Sequence, residues 1–147
     1  MNTQTHLEND LKVAIRTKDE TRKRTIRQVL SAIKLAEVEK GDQLTEQQVI
    51  SIIQKEIKSQ QESITDATRA NRPELIKEAK AEISVLEPYL PTQLSPAEID
   101  TLAREAISKV GASSPAEMGQ VMKVLMPQIQ GRAAGGDVSQ VVRKLLG

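Results

Sequence analysis

The chain has 147 residues, 38% hydrophobic and 28% charged, with a formal net charge of +1, proportions of a folded and not a disordered protein. It has no Cys, Trp or Phe, and Tyr89 is its single aromatic residue, so disulfides and thiolate metal sites are excluded and any core is aliphatic. No apolar run approaches the roughly 20 residues of a membrane span, and the polar N-terminus has no signal-peptide core, so the expectation is a cytoplasmic protein with no membrane partner.

Helical periodicity recurs along the whole chain and no segment reads as a strand. In the first helix Leu7, Leu11, Ala14 and Ile15 repeat at helical spacing, ending near residues 17–20. The second carries Ile26, Val29, Leu30 and Ile33 and stops at Lys40-Gly41, a basic last turn followed by glycine. Thr45 with Gln48 three places on has the spacing of a capping box and opens the third helix, whose Val49, Ile53, Ile57 and Ile64 form a narrow seam. Asn71-Arg72-Pro73 ends it, since a residue before proline is driven out of the helical region. The fourth helix presents Ile76, Ala79, Ile83, Leu86 and Leu90, and two prolines in Glu87-Pro88-Tyr89-Leu90-Pro91 then stop the pattern.

Beyond that break, Ser95-Pro96-Ala97-Glu98 and Ser114-Pro115-Ala116-Glu117 each supply an N-cap serine, a proline at N1 and a reciprocal glutamate. They predict the starts of a fifth helix, bearing Ile99, Leu102, Ala103, Ala106, Ile107 and Val110, and a sixth, bearing Met118, Val121, Met122 and Leu125 up to Pro127. After a loop over residues 131–136, Asp137 is expected to cap a seventh helix carrying Val138, Val141, Val142, Leu145 and Leu146. The fold class is therefore all-α. An elongated helical bundle or hairpin over residues 1–92 is followed by a small three-helix domain over residues 93–147.

Candidate sites are few. His6 is the lone histidine, near the N-terminus, and reads as a solvated polar residue. There is no Gly-x-Ser-x-Gly elbow, no Walker loop and no His-Glu metal motif, so no catalytic residue, metal or cofactor is assigned. Charge is distributed unevenly: between Lys12 and Lys34 stand eight Lys/Arg and two Asp/Glu. Lys23, Arg27 and Lys34 fall within about 40° of one another on a helix, and Lys12 and Arg16 form an i, i+4 pair on the one before. Such a patch suits a phosphate backbone held by counterion release, and without aromatics to stack bases the mode would be backbone and shape recognition of structured RNA. A solubilising surface paired with Glu37, Glu39 and neighbouring acids fits the same residues. A second set, Lys123, Arg132, Arg143 and Lys144, lies around a Gly-rich turn whose amides suit an anion, although a flexible helix connection accounts for that turn as well. The row Met118, Met122, Met126 reads as core filling.

Several blocks occur in an order that resembles the GatB/YqeY family, in particular its stand-alone YqeY-like proteins, over nearly the whole chain. They are Ala70-Asn71-Arg72, Leu86-Glu87-Pro88-Tyr89-Leu90-Pro91, Val110-Gly111-Ala112-Ser113-Ser114, Met118-Gly119-Gln120-Val121-Met122, Met126-Pro127 and Gly131-Arg132-Ala133. Ala134 departs from the acidic residue the family often has there. The resemblance implies two helical domains, the second similar to the tail of the B subunit of aspartyl/glutamyl-tRNA amidotransferase, where such a module helps hold tRNA apart from the site of amide transfer. The family's label, carbon–nitrogen ligase activity with glutamine as amido donor, then belongs to the whole amidotransferase, and any such activity would need other subunits. The expected function is a non-catalytic tRNA-binding accessory protein, with Lys23, Arg27, Lys34, Lys123, Arg132 and Lys144 as phosphate contacts and tRNA or another structured RNA as partner. The alternative is a protein-interaction module that docks on a larger, translation-related protein.

Overall fold

The computed structural model describes residues 2–147, in which seven α-helices and two short 3-10 turns are present and no residue is in a strand. The described chain is all-α. It divides into two compact units, the first ending at Leu90 and the second spanning Pro91–Gly147.

In the first unit the helices are α1 (Thr3–Arg16), α2 (Glu20–Lys40), α3 (Glu46–Arg69) and α4 (Pro73–Leu86), closed by a 3-10 turn at Glu87–Tyr89. Local chemistry sets each boundary. The Asn2 and Asp19 side chains accept the Thr5 and Arg22 amides at the starts of α1 and α2. Thr45 and Gln48 form both halves of a capping box at α3. Gly41 (φ 77°) ends α2 in the left-handed region, where a side chain would be strained. Asn71 (φ 54°) makes the same reversal between α3 and α4, and the Arg72 amide donates back to the Ala67 carbonyl at 2.9 Å.

Packing follows the seams. α3 lies along α4 and α1 along α2, while α2 also reaches α4 and α3. Leu7, Ile26, Val29, Ile53 and Leu86 are wholly excluded from solvent, and Ile33 and Val49 nearly so. Truncating such a side chain to alanine costs roughly 2–5 kcal/mol. Ile15, placed on the apolar side by spacing, is 47% exposed, because it stands a full helical step away from the Leu7–Ala14 stripe. Two polar groups tie the helices together. Tyr89 donates its hydroxyl to the Asp10 carboxylate on α1. Glu82 on α4, only 6% exposed, accepts from Arg24 Nε of α2 at 3.3 Å.

The second unit contains α5 (Pro96–Val110), a 3-10 turn (Pro115–Glu117), α6 (Met118–Ile129) and α7 (Gly135–Leu146) around Ala103, Val121, Leu125, Ile129, Val138 and Val142. Met118, Met122 and Met126 are partly buried against this core. The segment before α5 is pinned to the α6–α7 connection. Leu94 N–H donates to the Arg132 carbonyl at 2.7 Å, Gln93 Nε2 to the Gly131 carbonyl at 3.1 Å, and Arg132 Nε to the Thr92 carbonyl at 3.0 Å. Thr92 and Gln93 thus bond within the second unit.

Three local expectations change. Ser95 and Glu98 form the complete capping box, but Ser114 does not cap a helix: Pro115–Glu117 is a 3-10 turn, and the Glu117 carboxylate accepts from the Ser113 amide at 3.3 Å. The tighter turn moves the amide that Ser114 would have capped. Asp137 is also not an N-cap. Ala134 occupies that position and Asp137 lies in the first turn of α7, where its charge still faces the positive end of the helix. Finally, α6 continues through Pro127 to Ile129; one backbone bond is forfeited there, and the wholly buried Leu125 and Ile129 hold the last turn.

Candidate nucleic-acid interface

The strongest cationic feature is one face of α2. Its core side is fixed by Thr25, Ile26, Val29 and Ile33, all buried, so the opposite side must face water. On that side Arg24, Arg27, Gln28, Ser31 and Lys34 are exposed. A shallow depression of about 580 Å³ is lined by Glu20, Lys23, Arg24, Arg27, Gln28 and Ser31.

These cations are not equivalent. Arg24 is engaged by two carboxylates of α4, with Nη2 3.1 Å from Glu78 and Nε 3.3 Å from Glu82. Lys23 is paired along its own helix with Glu20 at 3.7 Å, and its side chain is 27% exposed. Arg22 meets Asp19 at 3.6 Å. Arg27 and Lys34 are exposed and form no ion pair among the described residues. They are seven residues apart, two turns of one face, or about 10 Å along the axis. Of the described Lys and Arg residues between Glu20 and Lys34 on α2, these two alone form no ion pair, with Gln28 and Ser31 between them in sequence.

In the second unit the candidates stand on different elements and differ in exposure. Lys123 on α6 and Lys144 on α7 are exposed, whereas Arg132 is half-buried with its Nε committed to Thr92. The glycine turn is built for closure: Gly131 is buried, its carbonyl accepts from Gln93, and Gln130 and Gly131 take φ values of 50° and 76°. At the start of α7 the Asp137 carboxylate would oppose a bound anion.

Burial, then the hydrogen bond and charge of Asp10, raise Tyr89 above the ordinary tyrosine range. Glu98 is lowered by its capping bonds to Ser95, and Glu74 by the Arg72 side chain, both fully exposed. No cluster of His, Asp or Glu among the described residues has the geometry to hold a metal ion. No helix there is long and apolar enough to cross a membrane.

Two features escaped the sequence reading. The Arg24–Glu82 pair joins residues 58 apart, so helical spacing does not reveal it; the i, i+4 repeat of Glu78 and Glu82 was its only local trace. The other is an exposed apolar pair, Leu35 and Val38, on the continuation of the cationic face.

Together these features define an all-α protein of two helical units with a cationic helix face. The chain belongs to the YqeY family: the model described as Yqey-like protein matches residues 4–146. It is similar to proteins named altered inheritance of mitochondria protein 41, mitochondrial. It is 32% identical over 145 residues to that of Pyrenophora tritici-repentis, covering 96% of this chain and 79% of the relative. The Lachancea thermotolerans protein is 35% identical, covering 75% of this chain and 60% of its own length, and the Vanderwaltozyma polyspora protein 37%, covering 65% and 53%. This chain thus spans little more than half of the latter two. The expectation of a cytoplasmic protein is overturned by these relatives, which are named as mitochondrial.

Proposed function

We propose that the protein is an accessory factor that binds tRNA or another structured RNA through its phosphate backbone, in the manner of the tRNA-holding tail that the family resemblance implies. The observation that carries this reading is the pair Arg27 and Lys34: exposed, free of carboxylate partners and on one face of α2. Lys23 supports them at the rim of the depression, and Lys123, Lys144 and the outer nitrogens of Arg132 are the corresponding contacts on the second unit. The spacing of Arg27 and Lys34 suits two phosphates of one strand separated by an intervening nucleotide. Without aromatic side chains on this face, base stacking contributes nothing and recognition rests on backbone shape. Amide transfer, in this reading, belongs to other subunits.

The test is a salt titration of binding to tRNA and to a generic RNA duplex. Arg27→Gln and Lys34→Gln are each expected to reduce the slope of log affinity against log salt by about one. Lys23→Gln, already paired with Glu20, is expected to reduce it less. Affinity for tRNA no greater than for the duplex at moderate salt would sink the proposal.

A further inference from the structure

The connection between the two units is fastened at both ends. On the side of the first unit, the Leu90 amide donates to the Glu87 carbonyl at 3.1 Å, and Tyr89 and Leu90 pack against the first core. Tyr89 is held further by its hydroxyl on the Asp10 carboxylate. On the side of the second unit the hold begins at the very next residue. Gln93 Nε2 donates to the Pro91 carbonyl at 2.8 Å and to the Gly131 carbonyl at 3.1 Å, which ties the segment to the turn after α6. Arg132 Nε donates to the Thr92 carbonyl at 3.0 Å, and the Leu94 amide donates to the Arg132 carbonyl at 2.7 Å. The Leu94 side chain packs against the second core. Residues 91–94 are therefore each fixed to the second unit, directly or through Gln93.

We infer that the two units turn about one joint, the link between Leu90 and Pro91, with residues 91–94 moving as part of the second unit. Between the last backbone atom held by the first unit and the first held by the second, few rotations are left. The peptide bond is planar. The proline ring locks φ of Pro91 at about −65°, give or take about 15°. What remains is ψ of Leu90, and the following ring confines that to extended values, which Leu90 adopts. No glycine occurs between Gly41 and Gly111 to loosen the chain here. The joint is thus a swivel of narrow range, unlike a Gly/Ser linker in which every residue adds free torsions. Gln93 and Arg132 form a latch that sets its length. With the latch open, the mobile part would grow from one link to the whole of residues 91–94.

The test is nitrogen-15 relaxation of the full chain, with a distance measurement beside it. The amides of Thr92, Gln93 and Leu94 are expected to share the order parameters of α5, about 0.85, whereas a flexible tether would put them below about 0.6. Arg132→Ala removes the bond to Thr92 and is expected to lower Thr92 and Gln93 toward the second value while α5, α6 and α7 keep theirs. The chain has no cysteine, so Glu62→Cys and Lys109→Cys, both at exposed positions, place one spin label on each unit. Pro91→Gly keeps every bond of the latch, because Pro91 contributes only its carbonyl. It is expected to widen the distribution of label distances about twofold while residues 92–94 stay ordered. That variant decides the matter even where Arg132→Ala unfolds the second unit. Order parameters below about 0.6 at Thr92 and Gln93 in the parent chain would overturn the proposal. So would a folded Arg132→Ala variant with Thr92 still ordered, or a distance distribution that Pro91→Gly leaves unchanged.

Discussion

Arg24 and Glu82 make an unequal pair, and the inequality predicts which substitution does more harm. Glu82 is 6% exposed while the Arg24 side chain is 45% exposed and has a second partner in Glu78, 3.1 Å away. Removing the cation in Arg24→Ala strands a carboxylate from which water is largely excluded, and leaving a buried polar or charged group without its partner costs about 1–3 kcal/mol or more. Removing the carboxylate in Glu82→Ala leaves a half-exposed guanidinium that hydrates and keeps Glu78. The electrostatic part of that loss is then about 0–1 kcal/mol, as for exposed pairs. Arg24→Ala should therefore destabilise the first unit by about 1–2 kcal/mol more than Glu82→Ala, and the double substitution should recover much of the difference. Amide hydrogen exchange of α2 and α4, resolved by mass spectrometry, isolates this unit from the second and avoids assuming one transition for the whole chain. Equal losses in the two single variants, or a loss below about 0.5 kcal/mol in Arg24→Ala, would refute the reasoning that burial of Glu82 dominates.

The two Ser-Pro-Ala-Glu segments give a matched comparison: Ser95→Ala should cost about 1 kcal/mol because a full capping box is lost. Ser114→Ala should cost only a few tenths, since no helix amide depends on that hydroxyl; thermal unfolding by circular dichroism separates the two. Tyr89 should ionise at higher pH than a free tyrosine, as read from phenolate absorbance. Because the unfolded chain loses that proton first, near pH ~10, the first unit should lose stability as pH rises from there toward the folded value. Tyr89→Phe should abolish that alkaline loss, and a phenolate appearing at the ordinary tyrosine pH in the folded protein would contradict the geometry.

Helix content was readable because the signals are local. Thr45 with Gln48, Ser95 with Glu98 and Lys40 before Gly41 act within one turn, and each formed where spacing placed it. The same four residues at Ser114 failed because a 3-10 turn stands there and shifts the register by which a cap is judged. Pro127 misled in the opposite direction. Buried neighbours on either side outweighed the missing amide. At the candidate interface, the sequence placed Lys23, Arg27 and Lys34 on one face but could not rank them. Lys23 is set apart by its pairing with Glu20, and Arg24 beside it by Glu78 and Glu82 of another helix. Nor did spacing show that Arg132 Nε serves the Thr92 carbonyl forty residues away.

Apart from Tyr89, which packs half-buried against the first core, the interiors of both units hold no aromatic ring among the described residues, and this has a bearing on how uniquely the chain folds. Rings impose preferred stacking and edge-on orientations on their neighbours; aliphatic side chains attract almost without direction. Definition must then come from branching at Cβ, which leaves Ile26, Ile33 and Ile53 and Val121, Val138 and Val142 nearly a single rotamer each on a helix. Exchanging these isoleucines for leucine would keep volume and hydrophobicity while releasing that restraint, and the first casualty would be sharpness of the side-chain arrangement, with the free energy of folding following later.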